Sequence, residues 1–190
     1  MRSLFVAYCV LLFVCLWPYS RAQATYIDIN FLSISDTFKT ASTTTISRTT
    51  YDLGIGYELG KSDSLIWALS YGAGTFSDAT GSSKTTFTFT DLGLRLGYFI
   101  TKQKSWFASI TYNLNSIAKY NDGTSEVELR GTSTKADVGY VFRPTDAIGV
   151  AAKIIYYAPT YKESVASTTL TKVNYTRAIV YPGLSLSFLF

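Results

Sequence analysis

Residues 91–98 read DLGLRLGY. Leu92, Leu94, Leu96 and Tyr98 alternate with Asp91, Gly93, Arg95 and Gly97. A period of two is the spacing of side chains on a β-strand, where neighbours point to opposite faces. One face of this strand is wholly apolar, and the other mixes glycine with charges of both signs. A soluble sheet would give its second face to water and favour Lys, Glu and Thr there. Glycine instead weakens a strand and marks close backbone approach. The stretch therefore predicts a crowded polar interior and an apolar face turned outward to lipid.

The same pattern recurs. YDLGIGYELG (51–60) sets Tyr51, Leu53, Ile55, Tyr57 and Leu59 against Asp52, Gly54, Gly56 and Glu58. LIWALSYGAG (65–74) sets Leu65, Trp67, Leu69 and Tyr71 against Ala68, Ser70, Gly72 and Gly74. WFASITYNL (106–114), KADVGYVF (135–142), IGVAAKIIY (148–156) and the final stretch 177–190 alternate in the same way. TYIDINFLSI (25–34) is less clean: Ile27, Ile29 and Phe31 oppose Asp28 and Asn30, and the phase blurs at Leu32 and Ile34. Eight strands result. Gly54, Gly56, Gly72, Gly74, Gly93, Gly97, Gly139, Gly149 and Gly183 all fall on the non-apolar face. An eight-strand barrel, whose interior is just wide enough for side chains, explains that placement.

The start of the chain carries Arg2, an apolar run from Leu4 to Trp17, Pro18, and then Ala22-Gln23-Ala24. This is the order of a cleaved secretory signal, and the run is shorter than the roughly 20 residues of a spanning helix. The expected organisation is a signal peptide over 1–24 and one transmembrane barrel over 25–190. Both cysteines and the single methionine lie in the leader, so the barrel has no thiol for a disulfide or a metal. Of the 17 basic residues, loss of Arg2 and Arg21 leaves 15 against 13 acidic ones, too mild an excess to argue for a nucleic-acid partner.

Three further features fit a membrane barrel. The polar face carries Asp52, Glu58, Asp91 and Asp137 with Arg95, Lys135, Lys153 and Arg177. Charges in a closed interior must pair or be hydrated, so these eight are expected to form a lumen network. GKSD (60–63), TKQK (101–104) and RPTDA (143–147) are short connections. The segments around 36–47, 76–86, 117–130 and 158–174 are longer and Thr/Ser-rich, which favours extended strand above the membrane. Aromatics gather at strand ends: Tyr57, Trp67, Tyr98, Trp106 and Tyr140 near the short turns form an expected girdle, with Tyr51, Tyr71, Tyr112 and Tyr156 near the long connections. Phe87 and Phe89 fall out of phase with Leu92 and Leu94. They predict a strand that leaves the bilayer near Thr90 through a bulge, with aromatics exposed to a partner or packed on a neighbouring loop.

The leader, the eight alternating stretches and the terminal run YPGLSLSFLF (181–190) together resemble the small outer-membrane β-barrels of Gram-negative bacteria, of the OmpA-like and OmpX-like kind. The resemblance implies an all-β, eight-stranded antiparallel up-and-down transmembrane β-barrel in the outer membrane. It also implies that Phe190, Phe188, Leu186 and Leu184 are the mark read by the barrel-assembly machinery. Pro182 departs from the pattern. It falls on the lipid-facing set and removes a ladder donor, which predicts a bulge or a weakened pair in the last strand.

The sequence contains no histidine, which argues against a Ser/His/Asp site, His-ligated metal and the barrel enzymes that use histidine. An Asp52/Asp91 carboxylate pair is the remaining hydrolytic arrangement, against the plainer reading of both as lumen ion-pair members. The glycines of LGIGYELG lack phosphate-loop spacing. No enzyme activity, cofactor or nucleic acid is expected. A monomer is expected, with outer-membrane lipid and lipopolysaccharide as its surroundings. Lys39, Arg48, Lys84, Lys119, Lys162 and Lys172 are cations that phosphates could meet, but the acids near them favour an ordinary solvated surface. Three roles fit: a structural protein with a side-chain-plugged lumen, a narrow porin-like channel, or a surface interaction protein acting through its outer loops.

Overall fold

The computed structural model describes residues 25–39, 43–59, 64–166 and 169–190. The expected leader (1–24), the turn at 60–63 and the Lys39 side chain lie outside the described residues. The strands are β1 (Thr25–Lys39), β2 (Thr43–Leu59), β3 (Leu65–Thr80), β4 (Ser83–Phe99), β5 (Trp106–Asn121), β6 (Glu126–Phe142), β7 (Ile148–Ala166), β8 (Thr169–Thr176) and β9 (Ile179–Leu189). Each of β1 to β7 pairs antiparallel with its chain neighbours, and β9 returns to β1, so the sheet closes. β8 and β9 both lie along β7 and are interrupted only at Arg177 and Ala178. The ring therefore has eight positions, and the fold is an eight-stranded up-and-down barrel.

The faces are inverted relative to a soluble sheet. Tyr51, Leu92, Ile110 and Tyr140 on the outward face are 54%, 52%, 53% and 50% exposed, while Asp28 and Arg95 inside are 0% exposed. The nine glycines that the alternation places on the non-apolar face are all buried. At Gly56 a Cβ would lie 1.8 Å from the Trp67 carbonyl oxygen, so the backbones approach too closely for any side chain. At Gly74 it would meet the Phe89 ring at 2.7 Å, which makes that glycine the seat of an interior aromatic.

Strands β1 to β7 run 15–19 residues, whereas crossing a bilayer takes about 9–11. The excess forms hairpins at one end. The segments expected as long connections are largely strand. The β3–β4 ladder continues to Thr80↔Ser83 around Gly81, whose φ of 60° glycine adopts without strain. The β5–β6 hairpin closes at Asp122–Ser125.

Three expectations are corrected. Phe87 and Phe89 do not mark a bulge at Thr90. The β3–β4 register is unbroken, and both rings point inward on the same face as Asp91 and Arg95, 1% and 5% exposed. The nearest irregularity is on β5, where Leu92 opposes Asn115 but Gly93 opposes Asn113. Leu32 does not lose phase; it faces inward with Asp28 and Asn30 and packs among the interior aromatics.

Of the two outcomes expected at Pro182, the bulge is absent, because Ile154↔Pro182 sits in a continuous β7–β9 register, while the weakened pair is present. The proline's effect falls on the other neighbour. Thr25 and Phe190 exchange both backbone hydrogen bonds, at 2.8 and 3.0 Å. Hydrogen-bonded pairs alternate along an antiparallel ladder, so Phe31↔Leu184 is one and Ser33 with Pro182 would be the next. Proline has no N–H to complete it, and the β1–β9 pairing ends at Phe31↔Leu184.

Candidate functional site: a sealed charge layer in the barrel interior

Alternation delivers one inward side chain every second residue, and strand tilt brings those of distant strands to one height. At mid-height the charged side chains meet. Arg95 on β4 donates from Nη1 to Asp28 Oδ2 at 3.0 Å and from Nε to Thr111 Oγ1 at 3.2 Å; its Nη2 pairs with Asp52. Lys153 on β7 donates to the same Asp28 oxygen at 2.9 Å and lies 4.0 Å from Asp137. Lys135 on β6 pairs with Asp52. Asn30 bridges the two acceptors, donating to Asp28 at 2.9 Å and Asp52 at 3.1 Å.

Asp91 stands apart. Ser133 donates to it at 3.0 Å and Asn113 at 3.3 Å, and among the described residues no cation pairs with it. Asp52 and Asp91 line the same cavity, of about 20 Å³, which is the size of a single water. Asp52's oxygens are engaged by Arg95 and Lys135, so the two carboxylates do not form an open acid–base pair.

Apolar layers close this site above and below. Toward the short turns lie Tyr26, Ile66, Phe99, Phe107, Val141 and Leu189. Toward the hairpins lie Leu32, Phe76, Phe87, Phe89, Ile155, Tyr157, Tyr161 and Tyr181. The aromatic layer is cohesive: Phe89 stacks on Tyr157 at 4.8 Å and Phe76 lies 5.3 Å from Phe89. Such contacts add about 0.5–1.5 kcal/mol per pair beyond burial.

Of the eight residues expected in one network, five meet at mid-height: Asp52, Arg95, Lys135, Asp137 and Lys153. Asp91 is in the layer without a cationic partner. Glu58 is not in it. Below the lower apolar layer, it binds Lys104 of the 101–104 turn, both oxygens at 2.8 Å from Nζ. Arg177 is a correction too. It faces inward but above the aromatic layer, 3.6 Å from Asp78, because its position along the strand places it a full layer higher. The network's principal acceptor, Asp28, was not among the expected residues. Its signal was present in the alternation of the first stretch, where it opposes Ile27 and Ile29.

On the outside, Tyr98, Trp106 and Tyr140 are about half exposed, and Trp106 meets Tyr140 edge-on at 5.5 Å. Tyr57 and Trp67 face the same way and are partners in the β2–β3 register. A second row includes Phe31 and Tyr51, 5.3 Å apart. Leu184, Leu186 and Phe190 point outward, 61%, 38% and 71% exposed, and Phe188 stacks on Phe190 at 6.1 Å. Arg48 does not reach outward to lipid phosphates but faces into the barrel mouth. Lys119 is exposed and pairs with Glu126 at 3.2 Å.

No protein-family model matches the sequence. No curated protein matches it either. Solved structures do. Neisserial surface protein A is similar over 88% of this chain and 97% of that one, at 12% identity and a TM-score of 0.50. The translocator domain of the autotransporter NalP from Neisseria meningitidis matches 97% of this chain and 68% of that one, at 12% identity and a TM-score of 0.44. The outer membrane protein AlkL matches 92% and 95%, at 12% identity and a TM-score of 0.43. The first of these likenesses is one of fold, and it agrees with the closed antiparallel sheet described above.

Proposed function

We propose that the protein is a non-enzymatic, structural outer-membrane barrel whose lumen is plugged by its own side chains rather than open as a channel. One observation carries the reading. The charge layer is 0–8% exposed residue by residue, lies between two apolar layers, and leaves a cavity of only about 20 Å³. A hydrated ion needs a continuous wet path, and burying it in the aromatic layer without partners is prohibitive. In this reading a cleaved leader exports the chain and the assembly machinery reads Leu184, Leu186, Phe188 and Phe190. The monomer then sits in lipid and lipopolysaccharide with Tyr57, Trp67, Tyr98, Trp106 and Tyr140 at one interface.

The test is planar-bilayer recording on refolded protein beside Arg95→Ala. The wild type is expected to show no sustained conductance, and the variant brief openings as Asp28 and Asp52, each left with one cation, draw in water. Steady large conductance from the wild type would establish the channel instead.

A second role is favoured by the hairpins. Strands of 15–19 residues carry paired sheet well beyond the outer aromatic row, presenting rigid surfaces suited to interaction. Shortening the β5–β6 hairpin at 117–130 and measuring surface binding by intact cells tests that role, which predicts a loss.

A further inference from the structure

Above the aromatic layer two arginines converge on one carboxylate. Arg48 of β2 is anchored, its Nη1 donating to the carbonyls of Ser47 at 3.0 Å and Ser77 at 3.2 Å, with Nη2 2.6 Å from Asp78 Oδ1. Arg177, in the gap between β8 and β9, lies 3.6 Å from Asp78 Oδ2. Among the described residues nothing accepts a hydrogen bond from its guanidinium. Both guanidiniums lie over Phe76, at 5.3 and 5.9 Å from the ring centroid, and Arg177 also lies over Phe87 at 5.4 Å.

Two positive charges thus share one negative charge on an aromatic floor. The Arg177 side chain is only 25% exposed. A guanidinium carries five donors in a fixed fork that matches carboxylate and phosphate oxygens, and those of Arg177 are largely unspent. Cation–π contact holds the fork's plane but consumes none of its in-plane donors. Arg48, tied to two carbonyls, supplies fixed positive potential beside it. The arrangement is a half-filled anion clamp: Asp78 occupies the Arg48 side and leaves the Arg177 side open to solvent at the barrel mouth.

We propose that Arg177 and Arg48 bind a phosphate-type oxyanion at the mouth, seated over Phe76 and Phe87 beside Asp78. Charge-assisted hydrogen bonds from Arg177 are its main hold. The site lies above the sealed layer and does not depend on whether the lumen conducts.

The experiment titrates refolded protein in zwitterionic detergent with inorganic phosphate, followed by 31P line broadening. A second titration uses a phosphorylated glycolipid in the same micelles, with heat-modifiable gel mobility confirming that each variant is folded. Saturable binding is expected in the wild type, weakened at least tenfold in Arg177→Gln and unchanged in Lys119→Gln, an exposed rim lysine. Asp78→Asn removes the competing carboxylate and is expected to tighten binding severalfold, which a merely structural latch would not do. Phosphate binding that depends on Arg177 assigns a soluble ligand. Binding of the glycolipid alone, with the same dependence, assigns a lipid headgroup. Absence of binding to either probe, or a folded Arg177→Gln that binds like the wild type, overturns the proposal.

Discussion

Arg95 and Asp28 meet across the barrel interior, Nη1 to Oδ2 at 3.0 Å, with each side chain 1% exposed. Their strands lie at opposite ends of the run β1-β2-β3-β4, so the pair ties together parts of the wall that are not neighbours. Arg95 also serves Asp52, so its removal leaves two buried carboxylates short of a partner. Breaking one side of a buried pair costs about 3–5 kcal/mol. Arg95→Ala is expected to lose that much in urea unfolding from lipid vesicles. Asp28→Asn, which keeps an acceptor, should lose less. A loss under about 1 kcal/mol in the alanine variant would show that the cross-barrel pair contributes little to holding the wall together.

Glycine positions separate two kinds of crowding. At Gly56 the clash is with backbone, the Trp67 carbonyl and the Ala68 Cα, which cannot step aside. At Gly72 the nearest atom to a new Cβ is Asp52 Oδ2 at 3.4 Å, and a side chain can give by a few tenths of an ångström. Gly56→Ala is expected to abolish refolding to the heat-modifiable form, and Gly72→Ala to refold with near-normal yield. Equal yields would refute the distinction.

The sequence made the wall legible and left the heights within it unread. Alternation assigns each residue to the inside or the outside, and it assigned Asp52, Arg95, Lys135 and Lys153 correctly because period two is set by the strand alone. Which inward residues meet depends on tilt and stagger, properties of the closed ring that no single strand contains. Arg177 faces inward as its phase requires, yet it stands a layer above the network and finds Asp78. Asp28 faces inward as well, and its central role became visible only once β1 was placed three strands from β4. Phe87 and Phe89 show the same limit from another side. Aromatics on a polar face look like a phase error in one strand, but in the ring they are the upper seal.

The β5–β6 hairpin provides a pH test outside the membrane. Asp122 Oδ1 accepts from Thr124 Oγ1 at 2.7 Å, Ser125 N at 2.8 Å and Thr124 N at 2.9 Å. The Thr124 side-chain bond first, and the Thr124 and Ser125 amides after it, hold this carboxyl well below its ordinary value of 3.8. A depressed acid stabilises the folded turn above its ordinary pKa, and that contribution fades as pH falls below 3.8 toward the lower folded value. The Thr124 and Ser125 amide resonances are therefore expected to hold steady from neutral pH down to about 4 and to shift only in stronger acid. In Asp122→Ala they should resemble an open turn at every pH. A transition centred at or above pH 4 would contradict the assignment.

The seam between β1 and β9 makes the last prediction. Six paired positions join them, from Tyr26↔Leu189 to Phe31↔Leu184, against ten between β7 and β9. Leu189 donates to the Ala147 carbonyl on the β7 side, while Phe190 donates to Thr25 on the β1 side. Even-numbered residues of β9 thus turn their N–H toward β1, and at position 182 there is none to turn. Pro182→Val restores that donor and completes the hydrogen-bonded pair with Ser33. Each bond made contributes about 0.5–1.5 kcal/mol net, so the variant should gain about 1–2 kcal/mol in urea unfolding. The sharper readout is hydrogen exchange at the Ser33 amide, which lies just past the last β1–β9 pair. It is expected to exchange quickly in the wild type and to become protected in the variant, while the Phe31 amide stays protected in both. If Ser33 exchanges equally fast with valine in place, the seam ends because the strands diverge, and the proline merely occupies a place where no donor was needed.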